Sequence, residues 1–269
     1  MNDNTTTPLP AIEATADSAL AARLQHKIDQ KTKPLGALGQ LERLALQIGL
    51  IQRSDNLRFE APQMVVFAAD HGIAAEGVSA FPQAVTLQMV GNMLAGGAAI
   101  NVFARQHGFA LQVVDAGVTA DLGDHPQLLK RKIAAGTGNI CMGPAMSLAQ
   151  ADQALHAGMD VVRGLPGNVI AFGEMGIANT SAATLLLARL TGLPLNVVVG
   201  RGTGLDDAQL AHKQAVLTRA LARHADVREP LAVLAALGGF EIAMMAGAML
   251  QAASERRVVL VDGLAIKKG

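Results

Sequence analysis

The chain of 269 residues has no tryptophan, no tyrosine and only seven phenylalanines. It therefore has little material for the stacked aromatic platforms that hold single-stranded nucleic acid. A single cysteine, Cys141, excludes an intrachain disulfide and gives no sign of an oxidising compartment. No histidine stands beside Cys141 in the sequence, so an inert thiol is expected. Charge is scarce at 16%, against about 25% in an average soluble protein. Lys plus Arg equals Asp plus Glu at 22 each, which leaves no basic excess for nucleic acid or an anionic membrane surface. Neither His-Glu-x-x-His nor Cys-x-x-Cys occurs. His26, His71, His107, His125, His156, His212 and His224 are scattered singly, so no metal site is expected. The first residues are polar with no basic leader, so residues 1–15 read as a flexible tail and the chain is expected in the cytoplasm.

Apolar residues, by contrast, make up 51% of the chain, enough for a large core. Two runs, residues 180–200 and 231–250, have membrane-span length. The first contains Arg189 and a Gly-Leu-Pro turn, and the second contains Glu241 and Gly238-Gly239. A charge at mid-bilayer costs about 2.5–3.5 kcal/mol, so both read as buried core. Met244, Met245 and Met249 fit the same core.

Residues 16–55 read as a helical segment. Leu41, Leu44, Ile48 and Ile51 recur at steps of three and four, and Pro34 and Gly36 break this helix from an earlier one. From residue 56 to 269 the grammar changes to short apolar runs ending in glycine or an acid. The runs are 64–69, 111–114, 169–172, 195–199 and 257–261, each read as a strand. Strands that are apolar without alternation suit a parallel sheet covered on both faces. The expected fold is a doubly wound, mainly parallel α/β sheet with a small helical N-terminal subdomain. Ligands of such sheets collect at the carboxyl ends of the strands.

Three motifs stand at those ends. Gly200-Arg201-Gly202-Thr203-Gly204, with Asp206 as N-cap, is a glycine loop opening a helix. Its backbone N–H groups could cradle a phosphate, or it could be a tight turn alone. Its spacing matches neither the dinucleotide fingerprint nor the P-loop. Lys213 follows on the same helix, as a phosphate ligand or a solvated surface lysine. Gly173-Glu174-Met175-Gly176 follows an apolar strand, which puts the Glu174 carboxylate at the crevice unless it pairs with Arg201. Asn179 or Thr180 is expected to cap the helix beyond it. Asp70-His71-Gly72 offers an acid and a base, the alternative reading being an unrelated sugar-phosphate enzyme built on that pair.

Taken together, Thr32-Lys33-Pro34-Leu35-Gly36, Ala69-Asp70-His71-Gly72, Glu76-Gly77-Val78-Ser79-Ala80-Phe81-Pro82-Gln83, Gly96-Gly97-Ala98-Ala99-Ile100-Asn101, residues 172–180, 200–207 and Leu237-Gly238-Gly239-Phe240-Glu241 resemble the nicotinate-nucleotide:5,6-dimethylbenzimidazole phosphoribosyltransferase family. The matches run in order over residues 32–263. The resemblance implies a Rossmann-like large domain, a homodimer and transfer of phosphoribose from nicotinate mononucleotide to a benzimidazole, without metal or organic cofactor. It further implies phosphate and ribose contacts from Gly176, Asn179, Thr180, Gly202, Gly204 and Lys213. Glu174 would stand at the ribose and nicotinate, as the one catalytic candidate. Ser79, Phe81 and Gln88 would line the benzimidazole pocket. Relatives continue beyond the strand and Asp-Gly at 258–263 into a loop bearing the family's catalytic glutamate. Nothing in residues 264–269 matches that loop, and the expectation drawn is impaired turnover or a binding-only remnant.

Overall fold

The structure, a computed structural model, describes residues 8–261. The N-terminal segment holds α1 (Ser18–Asp29) and α2 (Gln40–Gln52), and the Asp17 carboxylate caps α1 by accepting from the Leu20 N–H at 2.8 Å. The spacing of the stripe on α2 is as read, yet Leu41 and Leu44 stay exposed.

Next come β1 (Gln63–Ala69), a 3-10 turn (Gly72–Glu76), α3 (Ala84–Leu94), α4 (Ala99–His107), β2 (Ala110–Gly117) and β3 (Leu128–Lys130). They are followed by α5 (Leu148–Arg163), β4 (Val169–Met175), α6 (Asn179–Thr191), α7 (Leu195–Val198) and α8 (Asp207–Arg223). The chain then forms α9 (Pro230–Leu237), α10 (Phe240–Ser254) and β5 (Val258–Leu260).

All strand pairs are parallel, in the order β3-β2-β1-β4-β5. The central strand shows why its sequence does not alternate. Val65, Phe67 and Ala69 enter one core, Val66 and Ala68 the other, and all are buried. Phe67 meets Phe172 of β4 at 6.2 Å between ring centroids. On the first face α5 and α10 approach so closely that a Cβ on Gly158 would fall 1.8 Å from the Met244 carbonyl oxygen. Reciprocally, one on Gly247 would fall 1.9 Å from that of Leu155.

Three expectations about the elements are corrected, and one strand had not been read. Within the run 195–199, Leu195–Val198 form the short helix α7 rather than a strand. Pro194 enters it with φ −60°, and Val197 is 66% exposed, so the run never reaches the sheet. An apolar run this short does not tell strand from helix by periodicity. The strands β2 and β4 also run on through Asp115-Ala116-Gly117 and Gly173-Glu174-Met175, which had read as turns. The three-residue β3 lay below the length at which a pattern shows. Finally, α6 is not capped by Asn179 or Thr180. Its N-cap is Ala178, and both polar side chains are engaged elsewhere.

The apolar runs 180–200 and 231–250 lie in α6–α7 and α9–α10; α6, α9 and α10 contribute to the core cluster, and Leu195 of α7 packs against it. Among the described residues one other stretch, Ala84–His107, has the length and hydropathy of a span. It is two helices here, parted where Gly96 turns at φ +81°. The residues of the expected turn at Asp262-Gly263 lie outside those described.

Candidate active site

The chain leaves β1 toward β2 and β3 on one side and returns to β4 and β5 on the other, so the topological switch point lies between β1 and β4. Glu174 sits in β4 opposite Phe67, one residue before the strand ends. Beyond it the backbone turns sharply. Ala178 adopts φ +74°, a left-handed conformation that a non-glycine residue holds only under local compulsion. The turn is held by Thr86 of α3, whose buried hydroxyl accepts from the Ile177 N–H at 3.1 Å. It brings Asn179 back against the strand, where its amide donates to the Glu174 carboxylate. Arg201 does not take that carboxylate. It pairs with Asp207 and donates to the Leu205 carbonyl oxygen at 2.9 Å.

Helix α8 supplies the cation. Asp206 and Gln209 cap its first turn reciprocally, at 2.8 and 3.0 Å. Lys213, two turns in, is only 1% exposed, so the solvated-surface reading is set aside. Its ammonium donates to the Thr180 hydroxyl at 2.9 Å. Gly202, at φ +55°, closes the group. A Cβ there would come within 3.2 Å of the Thr180 hydroxyl and 3.6 Å of the Lys213 nitrogen. The start of α6, a buried ammonium and a glycine loop thus meet at one point, which is a favourable seat for an anion.

These groups line a cavity of about 250 Å³ that also takes in Ser79, Gly176 and Thr203. Of the expected residues, Ser79, Glu174, Gly176, Asn179, Thr180, Gly202 and Lys213 are brought together in it. Phe81, Gln88 and Gly204 are not among its lining residues, and Phe81 is 47% exposed. A larger cavity, about 690 Å³, opens between α1 and α2, but none of the expected residues lines it. Burial, followed by the negative charge of Glu241, pushes the Glu174 carboxyl above its ordinary pKa; Asn179 and His71 oppose the rise.

His71 and Asp70 do not form a surface acid–base pair. His71 is wholly buried with its Nε2 2.6 Å from Glu241 Oε1, and Asp70 accepts the Thr119 N–H at 2.8 Å. The alternative enzyme built on Asp70 and His71 is therefore dropped. Glu241, Thr86 and Ala178 were missed as parts of the site. Only Glu241 had a legible signal, as the lone acid within an apolar run of twenty residues. Among the described residues no three His, Cys, Asp or Glu side chains gather in a group able to hold a metal. Cys141 is part-buried, and burial raises its thiol pKa.

A parallel doubly wound sheet with a cavity at its switch point, lined by a buried ammonium, a glycine loop and a buried carboxyl, has the form of a small-molecule site of the open α/β class. A family model described as DBI_PRT, phosphoribosyltransferase, matches residues 14–268. The chain is 59% identical over 263 residues to the nicotinate-nucleotide–dimethylbenzimidazole phosphoribosyltransferase of Variovorax paradoxus, covering 98% of this chain and 75% of the relative. It is 62% identical over 250 residues to that of Cupriavidus necator, covering 92% and 72%. The crystal structure of CobT from Thermus thermophilus superposes with a TM-score of 0.88 at 44% identity, over 93% of this chain and 76% of that one. The chain belongs to the nicotinate-nucleotide–dimethylbenzimidazole phosphoribosyltransferase family.

Proposed function

We propose that the chain carries out the reaction for which these relatives are named, in the assembly of the cobalamin nucleotide loop. Phosphoribose passes from nicotinate mononucleotide to 5,6-dimethylbenzimidazole, giving α-ribazole 5'-phosphate and nicotinate. One observation carries the assignment of the phosphate: the Lys213 ammonium, the Thr180 hydroxyl and Gly202 converge at the start of α6, beside Glu174. In this reading the phosphate sits on Lys213, Thr180 and the Gly202–Gly204 loop, with Gly176 and Asn179 along the ribose.

The leaving pyridine departs from a cationic nitrogen and needs no general acid. The site has to align the acceptor nitrogen with the anomeric carbon, stabilise a sugar that turns cationic, and accept the benzimidazole proton. Glu174, once ionised, stabilises that positive charge, and it or water takes the benzimidazole proton. Ser79, Phe81 and Gln88 form the benzimidazole side; Ser79 at the cavity supports this, while Phe81 and Gln88 stand outside its lining. Two copies associate as a homodimer in this reading, supported by the exposed Leu87 of α3 and Val102 and Phe103 of α4. The site of action is the cytoplasm, a placement supported by the single cysteine.

The test is calorimetry of the chain with nicotinate mononucleotide, followed by a product assay on adding 5,6-dimethylbenzimidazole. Saturable binding with appearance of nicotinate supports the assignment. A folded chain that binds neither compound refutes it.

A further inference from the structure

We propose that His71, held by Glu241, is a positioning residue for Glu174. The pair props the turn on which Glu174 is presented and sets the charge behind that carboxyl. The proposal rests on the reading of Glu174 as the group that faces the sugar.

The strands β1 and β4 run side by side with Ala68 opposite Met175, so the residues that follow them abut. Gly176 leaves no room for a side chain there. A Cβ on it would lie 2.5 Å from the Ala69 carbonyl oxygen and 3.2 Å from His71 Cδ2. On the other edge of the ring, a Cβ on Gly239 would lie 2.3 Å from His71 Cε1 and 2.7 Å from Glu241 Oε2. The imidazole thus fills a slot walled by two glycine backbones. One belongs to the turn that leads from Glu174 to Asn179, the other to the N-cap of α10. A shift of this ring moves the catalytic turn.

The slot is also dry. His71 and Glu241 have no exposed surface, and Nε2 meets Oε1 at 2.6 Å. Among the described residues His71 Nδ1 and Glu241 Oε2 find no partner, so the one contact joins two otherwise unsatisfied groups. In a medium of low dielectric such a contact holds its geometry tightly and is costly to break.

The surrounding charges decide what the pair carries. Glu241 faces His71 from α10, Glu174 from β4 and Asp70 from the end of β1, while Arg201 and Lys213 line the cavity with Glu174. Burial by itself would strip the proton from His71. The three carboxyls outweigh it and hold the imidazole pKa above its ordinary value. Glu174 consequently feels an anion at Glu241, which raises its pKa, and a cation at His71, which lowers it. Removing the His71 cation while Glu241 remains moves the Glu174 midpoint upward, the opposite of what opening the slot to water would do.

The test is carboxyl ¹³C NMR of glutamate-labelled chain, with the Glu174 resonance assigned from Glu174→Gln. His71→Gln keeps a nitrogen near the position of Nε2 but removes the cation, so the Glu174 midpoint is expected to rise by about one pH unit. A fall, or no shift in the folded variant, overturns the proposal. Imidazole ¹⁵N spectra of the unaltered chain add a readout independent of variant folding: the buried ring must titrate above the ordinary imidazole value. A ring that titrates below it also overturns the proposal. Neither measurement needs a ligand, so a parent chain that shows these titrations without binding nicotinate mononucleotide would refute the functional reading alone.

Discussion

Lys213 Nζ and Thr180 Oγ1 are 33 positions apart in the chain and 2.9 Å apart in space. The contact ties the first turn of α6 to the second turn of α8 and presents a buried ammonium at the start of α6. Lys213 is among the largest side chains that are fully buried, and an ammonium is buried only where an anion or a strong acceptor repays its desolvation.

Lys213→Met keeps the stem and removes the charge. A charge-assisted hydrogen bond contributes about 1.5–3 kcal/mol, so affinity for nicotinate mononucleotide should fall by roughly tenfold to a hundredfold. Calorimetric titration reads this directly. Unchanged affinity would move the phosphate elsewhere.

Gly202→Ala adds a methyl 3.2 Å from the Thr180 hydroxyl, on a backbone at φ +55°. The left-handed strain lowers stability by about 1 kcal/mol, and the methyl crowds the anion seat. Affinity is expected to fall more than melting temperature does, as measured by calorimetry and thermal denaturation on the same samples.

Glu174 has a folded pKa above its ordinary value of 4.5. The folded state therefore binds its proton more tightly than the unfolded chain does. The contribution is fully present below the unfolded value and is lost as pH rises through the folded one. Glu174→Gln removes that loss. At pH 8 the variant should melt above the parent, with the gap closing toward pH 4, while phosphoribosyl transfer falls. Thermal melts across pH check the sign, and a parent that is the more stable at pH 8 contradicts the assignment.

Gly158→Ala drives a Cβ into the Met244 carbonyl oxygen of α10, where backbone has to move. Overpacking of this kind costs about 3 kcal/mol, read as a melting point lower by roughly 6 °C or more. Gly247→Ala, against Leu155, should do the same. Additive losses in the double variant would mean that the two contacts do not share one helix displacement.

The parts of the site that were legible were those written in consecutive residues. Gly200-Arg201-Gly202-Thr203-Gly204 announced a loop before a helix, and Asp206 marked where that helix begins. Glu174 after an apolar strand pointed to the crevice, and the topology puts it at the switch point. Illegible were the assignments that depend on a distant neighbour. Asn179 looked like a cap, because a polar residue at the start of a helix is one locally; the strained Ala178 turn gives it to Glu174 instead. His71 looked like an accessible base because its neighbours in sequence do not reveal Glu241, 170 positions away.

The sequence by itself determined the strand segments 64–69, 169–172 and 257–261, the helices between them, and the glycine breaks that let backbone approach backbone. All of these follow from periodicity and from the torsional limits of single residues, which act over a few positions. The tertiary structure alone decided that 195–198 would be helix, that Lys213 would be buried, and that His71 would meet Glu241. Those outcomes depend on which surfaces are pressed together once the sheet is wound. Packing density and desolvation act between residues that are close in space, whatever their separation along the chain.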